Sequence, residues 1–378
     1  MKSDQIMTCG RKSAMRFIIS FTLILLLFFS FPEKGHAAPS VSAEHAVLVE
    51  QSTGRVLFEK DAYSENSIAS ITKIMTALLA IESGKMDEKA KASRNAIYTE
   101  GSSIYLEQGE KMTIEDLVYG LMLRSGNDAA VTIAEHVGGS EDGFVFLMNE
   151  KAKWLGMEHT HFDNSHGLDS DTHHSSAYDM AILTRYAMQN DHFKEIFATK
   201  THRAMNRSYG WQNKNKLLTQ FYEHTTGGKT GFTKQTGRTL VSTANKDGMD
   251  LIAVTLNAPD DWQDHIHMFE WGFESFQMEK IENRGAVSYQ VAQSEESRTG
   301  YIGEDLFYPL TMDETRELKQ KNVLLPVDVE TSIIGKTFFY LNGEKVKETP
   351  IYKEKQKEGF FSNFFIVLKK YAGCRSSW

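Results

Sequence analysis

Residues 38–280 alternate strand-like with helix-like patterns, and this alternation limits the fold to a mixed α/β class more than any bulk property does. Ala46-Val47-Leu48-Val49 and Arg55-Val56-Leu57-Phe58 flank Ser52-Thr53-Gly54, which predicts a hairpin. From Ile71 the apolar positions 71, 74, 75, 78 and 79 repeat as one face of a half-buried helix. A second helix is expected from Thr113, where Thr113-x-x-Asp116 is a cap signature and Ile114, Leu117, Val118, Leu121 and Met122 share a face. Arg238 to Ala244 and Asp250 to Leu256 are β-rich runs joined around Asp247-Gly248, a further hairpin. After about Glu282 the runs shorten. Thr337 to Leu341, then Asn342-Gly343, then Glu344 to Val346 reads as a hairpin within a small all-β domain. The expected divisions are 1–37, 38–282, 283–350 and 351–378.

The first and last of these read as addresses. Lys2, Arg11, Lys12 and Arg16 precede an apolar run from Phe17 to Phe31, and Gly35-His36-Ala37 offers small residues for cleavage. That is the pattern of an export signal. The leader carries five basic and two acidic residues, so its loss takes the net charge from −8 to −11. A chain so acidic lacks the basic surface that phosphate neutralisation needs, so nucleic acid is not expected as a partner. Two cysteines, Cys9 and Cys374, exclude a disulfide framework or a zinc cluster. At the other end Phe360, Phe361, Phe364, Phe365, Leu368 and Tyr371 fall on one helical face opposite Ser362, Asn363, Lys369 and Lys370. The stretch is too short to span a bilayer, so the expectation is a helix lying in the membrane surface.

Three motifs carry chemistry. Ser70-Ile71-Thr72-Lys73 is the one Ser-x-x-Lys of the chain, placed where a helix begins, with Lys73 one turn beyond Ser70 on the same face. A serine hydroxyl is a weak nucleophile unless a base takes its proton. A lysine serves as that base only when burial or a nearby cation lowers its proton affinity. Ser125-Gly126-Asn127 lies between two predicted helices, where a short loop aims both side chains into a cleft. Lys229-Thr230-Gly231 sits at the edge of a β-rich run, where Gly231 lets a substrate backbone come close. Gly228-Lys229-Thr230 is not a phosphate loop, because Glu223 stands where that motif needs glycine. His173-His174 and His265-x-His267 are read as solvated or structural.

Ser-x-x-Lys, Ser-x-Asn and Lys-Thr-Gly in this order resemble the signature of penicillin-interacting serine enzymes. The stretches 69–77, 100–139, 213–234 and 239–257 are similar to low-molecular-mass D-alanyl-D-alanine carboxypeptidases, most of all to the sporulation-associated enzyme of endospore-forming bacteria. The resemblance implies an α/β (α+β) transpeptidase-like, β-lactamase-like catalytic domain, an antiparallel sheet flanked by helices. It also implies residue roles. Ser70 matches the acylated nucleophile, Lys73 its general base and Ser125 the hydroxyl that relays a proton to the leaving group. Asn127 matches the amide that holds the substrate peptide. Lys229 and Thr230 match the groups that attract and bond the substrate carboxylate, and the backbone N–H groups of Ser70 and Phe232 the oxyanion hole. One position departs from the pattern. Where many relatives place an arginine after the strand matching 250–256, this chain has Asn257-Ala258-Pro259-Asp260-Asp261-Trp262, and Arg238 is the substitute considered.

The implied enzyme removes the terminal D-Ala from peptidoglycan pentapeptides through an acyl-enzyme, limiting cross-linking, and is inhibited by β-lactams. No metal or organic cofactor is expected. The implied location is outside the cell, peripheral on the cytoplasmic membrane or, in a spore former, on the forespore membranes. Two rivals are a β-lactamase on the same fold and a non-catalytic β-lactam sensor. The first needs a water-activating Glu, and residues 156–171 hold no Glu-x-x-Leu-Asn; the second needs membrane spans and a signalling region.

Overall fold

The computed structural model describes residues 37–290, 297–325 and 331–354. The residues read as an export signal up to His36 and the apolar face expected over 360–371, together with both cysteines, lie outside these residues.

Five antiparallel strands form the main sheet: β1 (His45–Glu50), β2 (Val56–Lys60), β3 (Thr225–Thr233), β4 (Gly237–Lys246) and β5 (Met249–Leu256), in the order β2-β1-β5-β4-β3. Both predicted hairpins are present. At the β4–β5 turn Asp247 and Gly248 take φ of +51° and +84°, the left-handed pair that a tight two-residue hairpin requires. Of the strands in this sheet, the first and the last along the chain meet side by side, β1 against β5, so the sheet is complete only when everything between them has been placed.

Strand β1 is buried on both faces, and its alternation divides the core. Val47 and Val49 join Val241, Ile252 and Val254 beneath a helical layer. Ala46 and Leu48 join Leu240, Leu251 and Ala253 on the opposite face. The thick layer contains α1 (Lys73–Glu82), α2 (Ile114–Arg124), α3 (Asn127–Gly138), α4 (Glu141–Leu155), α5 (Ala177–Ala187) and α6 (Asp191–Ala198). The other face is covered by α7 (Asp261–Ser275) through Met268 and Phe269. Helix α2 starts as expected, with the Thr113 hydroxyl accepting from the Asp116 N–H.

Beyond α7, Gln277–Glu282 pairs with Leu306–Leu310, and a second five-stranded sheet is built from 285–290, 297–302, 319–324, 333–341 and 344–352. The Asn342-Gly343 hairpin is there, both residues left-handed. This part is not wholly β: Met312–Glu317 forms a short helix closed by a Thr311/Glu314 capping box. Its last strand ends at Tyr352, two residues beyond the expected limit. Arg55, just before β2, ties the main sheet to the strand pair and the short helix: its guanidinium bonds Glu314 and the Pro309 carbonyl and lies 5.2 Å from the ring centres of both Phe276 and Tyr308.

Candidate active site

Ser70 stands in a single 3-10 turn, Ala69–Thr72, that leads directly into α1. Ala69 takes φ of +49°, a left-handed conformation that costs a residue with a Cβ and is held here by contacts on both sides. From the sheet, the Thr239 hydroxyl donates to the Ile68 carbonyl at 3.0 Å. Gly231 lets β3 pass directly beneath the turn, since a Cβ there would sit 2.9 Å from the Ser70 nitrogen. From the helical side, Gly167 presses on the Ala69 carbonyl so closely that a Cβ would lie 2.0 Å from its oxygen. The hydroxyl of Thr72 donates to that same carbonyl at 2.8 Å.

One turn on, the Lys73 ammonium donates to Ser70 Oγ at 3.0 Å and to the carbonyl of His166. Ser125 occupies the left-handed cap (φ +65°) where α2 ends, and Gly126 turns the chain into α3 at Asn127. That break aims the Ser125 hydroxyl outward, and the Lys229 ammonium donates to it at 3.0 Å and to the Thr230 carbonyl at 2.7 Å. Two serine–lysine pairs thus face one another. Asn127 borders them; its side-chain amide donates to the Glu100 carbonyl, and its backbone N–H to the Ser102 carbonyl at 2.7 Å. Thr230, Gly231 and Phe232 follow Lys229 along the edge strand β3, and Phe232 is 65% exposed.

Both lysines are sealed from water, Lys73 at 0% and Lys229 at 1% exposure. Burial first, then the charges of Lys229 and Lys214, hold the Lys73 ammonium well below its ordinary proton affinity. Burial and then Lys214 bring Lys229 down to about 7. Ser70 therefore has beside it a lysine whose charged form is disfavoured.

Two further groups fall outside the three motifs. Lys214 sits on the loop before β3, bonds the Ser102 hydroxyl at 3.1 Å, and is felt electrostatically at both other lysines. His173 is buried, not solvated. Its Nδ1 accepts the Asp163 N–H at 3.0 Å, so Nε2 carries the proton toward the Thr72 hydroxyl at 2.8 Å. His265 is likewise buried, between Ser242 and Thr255. Arg238, the substitute cation, is engaged: its Nε donates to Asp261 at 3.0 Å and its guanidinium lies 5.3 Å from the Trp262 ring centre. It is paired across the strands with Phe232, two positions past Thr230 on the same face of the sheet.

Residues 33–260 match the family model described as D-alanyl-D-alanine carboxypeptidase (Peptidase S11). The D-alanyl-D-alanine carboxypeptidase DacF of Bacillus subtilis is 31% identical over 380 residues, covering 93% of this chain and 97% of its own. DacC of Escherichia coli is 30% identical over 366 residues, covering 90% and 91%. Among solved structures, penicillin binding protein 5 from Haemophilus influenzae superimposes with a TM-score of 0.74 at 26% identity, covering 85% of this chain and 99% of that one. Penicillin binding protein 6B from Escherichia coli gives 0.67 at 27%, covering 84% and 98%.

Proposed function

This chain belongs to the D-alanyl-D-alanine carboxypeptidase family, and from that premise we propose that the two serine–lysine pairs are its reaction centre. The protein is a serine-type D-alanyl-D-alanine carboxypeptidase acting on peptidoglycan peptides, with β-lactams as ligands of the same centre. Lys73 takes the Ser70 proton as Oγ attacks the carbonyl carbon of the penultimate D-Ala. The oxygen that becomes negative is received by the backbone N–H groups of Ser70 and Phe232, each worth about 10²–10³ in rate when lost. The proton that Lys73 took is passed on through the hydroxyl of Ser125, which is bonded to Lys229, to the departing amine; free D-Ala leaves and Lys73 is neutral once more. Water then attacks the Ser70 ester with Lys73 again as base. Asn127 holds the peptide on the acyl side, Lys229 and Thr230 hold the terminal carboxylate, and Gly231 gives the substrate room.

The observation that carries this reading is the 3.0 Å contact of a fully buried Lys73 with Ser70 Oγ. The β-lactamase alternative is disfavoured by the same neighbourhood, since the loop that closes on Lys73 offers it the carbonyl of His166, not a carboxylate to activate water. Mass spectrometry of the protein with a diacyl-D-Ala-D-Ala peptide, with and without penicillin, tests it. Ser70→Ala is expected to abolish both D-Ala release and penicillin labelling; labelling at another serine would refute the assignment.

The setting is part of the proposal. The basic and apolar leader supports export, and the Phe-rich face of 360–371 supports peripheral attachment to the outer face of the cytoplasmic membrane. Among the described residues no helix is long and apolar enough to cross a membrane. The resemblance of 69–77, 100–139, 213–234 and 239–257 to the sporulation-associated enzyme of endospore-forming bacteria supports a role in a spore former, at the forespore membranes. Truncation after Lys357 is expected to give active enzyme that no longer sediments with liposomes; retained sedimentation would refute the anchor.

A further inference from the structure

A cavity of about 240 Å³ opens beside the reaction centre, lined by the loop Gly101–Tyr105 and by Arg124, Tyr209, Trp211 and Lys214. Its position relative to the catalytic groups is fixed by the chain. Arg124 directly precedes Ser125, and the loop wall is bound to Asn127 through the Ser102 carbonyl. Nothing from Thr230–Phe232 lines it. It therefore lies on the Asn127 side of the centre, away from the strand assigned to the terminal carboxylate.

The cavity's charge is unbalanced. Arg124 donates only to the Gln212 carbonyl, at 3.1 Å, and Lys214 to the Ser102 hydroxyl. Among the described residues neither meets a carboxylate. Two acidic groups near the loop are already engaged: Asp128 takes the N–H groups of Ile104 and Leu106 and the Ser103 hydroxyl, and Glu110 takes Arg207. The two cations are close enough to disfavour one another, because after burial it is the charge of Arg124 that lowers the proton affinity of Lys214. An anion placed between them would relieve that repulsion and gain charge-assisted hydrogen bonds. The remaining walls are aromatic: Trp211 is buried, while Tyr209 and Tyr105 are exposed at the rim. Such walls suit the methylene stem of a long side chain.

We propose that this cavity is a specificity subsite for a carboxylate carried on the side chain of the residue that precedes D-Ala-D-Ala, with Arg124 and Lys214 as its anion-binding groups. The inference rests on the carboxypeptidase reading and extends it to the acyl side of the substrate.

The test compares two peptides on the full-length protein, Nα-acetyl-Nε-acetyl-L-Lys-D-Ala-D-Ala and its Nε-succinyl counterpart, which adds one carboxylate at the end of the same arm. The succinyl peptide is expected to show kcat/KM about tenfold higher at low salt. Arg124→Gln is expected to bring the ratio of the two kcat/KM values below about twofold, and Arg124→Lys to keep most of it. Equal kcat/KM for the two peptides with the natural protein, or an undiminished ratio in Arg124→Gln, would overturn the subsite while leaving the carboxypeptidase reading intact. Failure to release D-Ala from either peptide would overturn both.

Discussion

Nε2 of His173 lies 2.8 Å from the hydroxyl of Thr72, 101 residues earlier in the chain, and that hydroxyl in turn bonds the carbonyl of the residue before the nucleophile. The chain of bonds from the Asp163 N–H through His173 and Thr72 to Ala69 fixes the left-handed residue from which Ser70 is presented. His173 touches no reacting atom in this scheme and acts by positioning.

His173→Ala leaves the Asp163 N–H without its acceptor and opens a gap beside Phe162, so stability should fall by about 2–3 kcal/mol. Acylation by penicillin should slow about tenfold through a misplaced nucleophile. His173→Gln, which offers one acceptor and one donor, should recover most of both. Stopped-flow acylation rates alongside urea unfolding check this. An alanine variant that is destabilised but acylated at the natural rate would show that the bond chain supports the fold alone.

Acylation should rise with pH through the neutral range, because Lys73 acts only when it has lost its proton. Lys73 and Lys229 share one cleft, so the apparent values read from a rate profile belong to the pair. Lys214 depresses both. Lys214→Gln therefore raises their proton affinities, moves the acid limb of the profile to higher pH and slows acylation at pH 7 severalfold. A profile unmoved by Lys214→Gln would remove the electrostatic role given to that residue.

Three buried histidines make the fold acid-sensitive. Burial brings His166 to about 3, His173 to about 4 and His265 to about 3, from an ordinary 6.5. Folded, each stays neutral between pH 6.5 and 4, whereas the unfolded chain takes up the protons. The unfolded state then binds more protons, so stability falls as pH drops through this window, on the order of 3 kcal/mol for His173 alone. Urea midpoints measured at pH 7 and pH 4.5 should differ accordingly, and His173→Gln should narrow the gap.

Gly231→Ala should damage chemistry more than stability. The added methyl would meet Thr239 Oγ1, the end of a side chain that can turn away, and the Ser70 nitrogen at 2.9 Å, which is backbone. A shift of Ser70 is the expected outcome, with acylation reduced by about 100-fold or more. The near-ultraviolet circular dichroism should stay that of the natural protein. Acylation within tenfold of normal would mean that β3 yields instead of the nucleophile turn.

Local patterns were a good guide to local structure. The cap at Thr113, the turns at Asp247-Gly248 and Asn342-Gly343, and the helix that begins beside Ser70 all depend on neighbours within a few residues. The short helix Met312–Glu317 was not anticipated, although its Thr311/Glu314 capping box was present in the sequence to be read. Arg238 shows the opposite limit. It reads as a spare cation beside the active strand, and its pairing with Asp261 is made by α7 folding back under the sheet.

The sequence by itself determined which residue types were available and the spacing that joins some of them: Lys73 one turn from Ser70, Asn127 two residues from Ser125, Thr230 and Gly231 beside Lys229. These relations hold because a helical turn, a helix break and a strand are set by adjacent dihedral angles. Only the tertiary structure decided that Lys229 reaches Ser125 across 104 residues, that Lys214 adds a third charge, and that His173 braces the nucleophile turn. It also decided the chemistry of the lysines. A Lys in sequence is an ordinary ammonium; Lys73 is held well below that proton affinity because burial removes the water that would keep its charge and the folded chain brings Lys229 and Lys214 within reach.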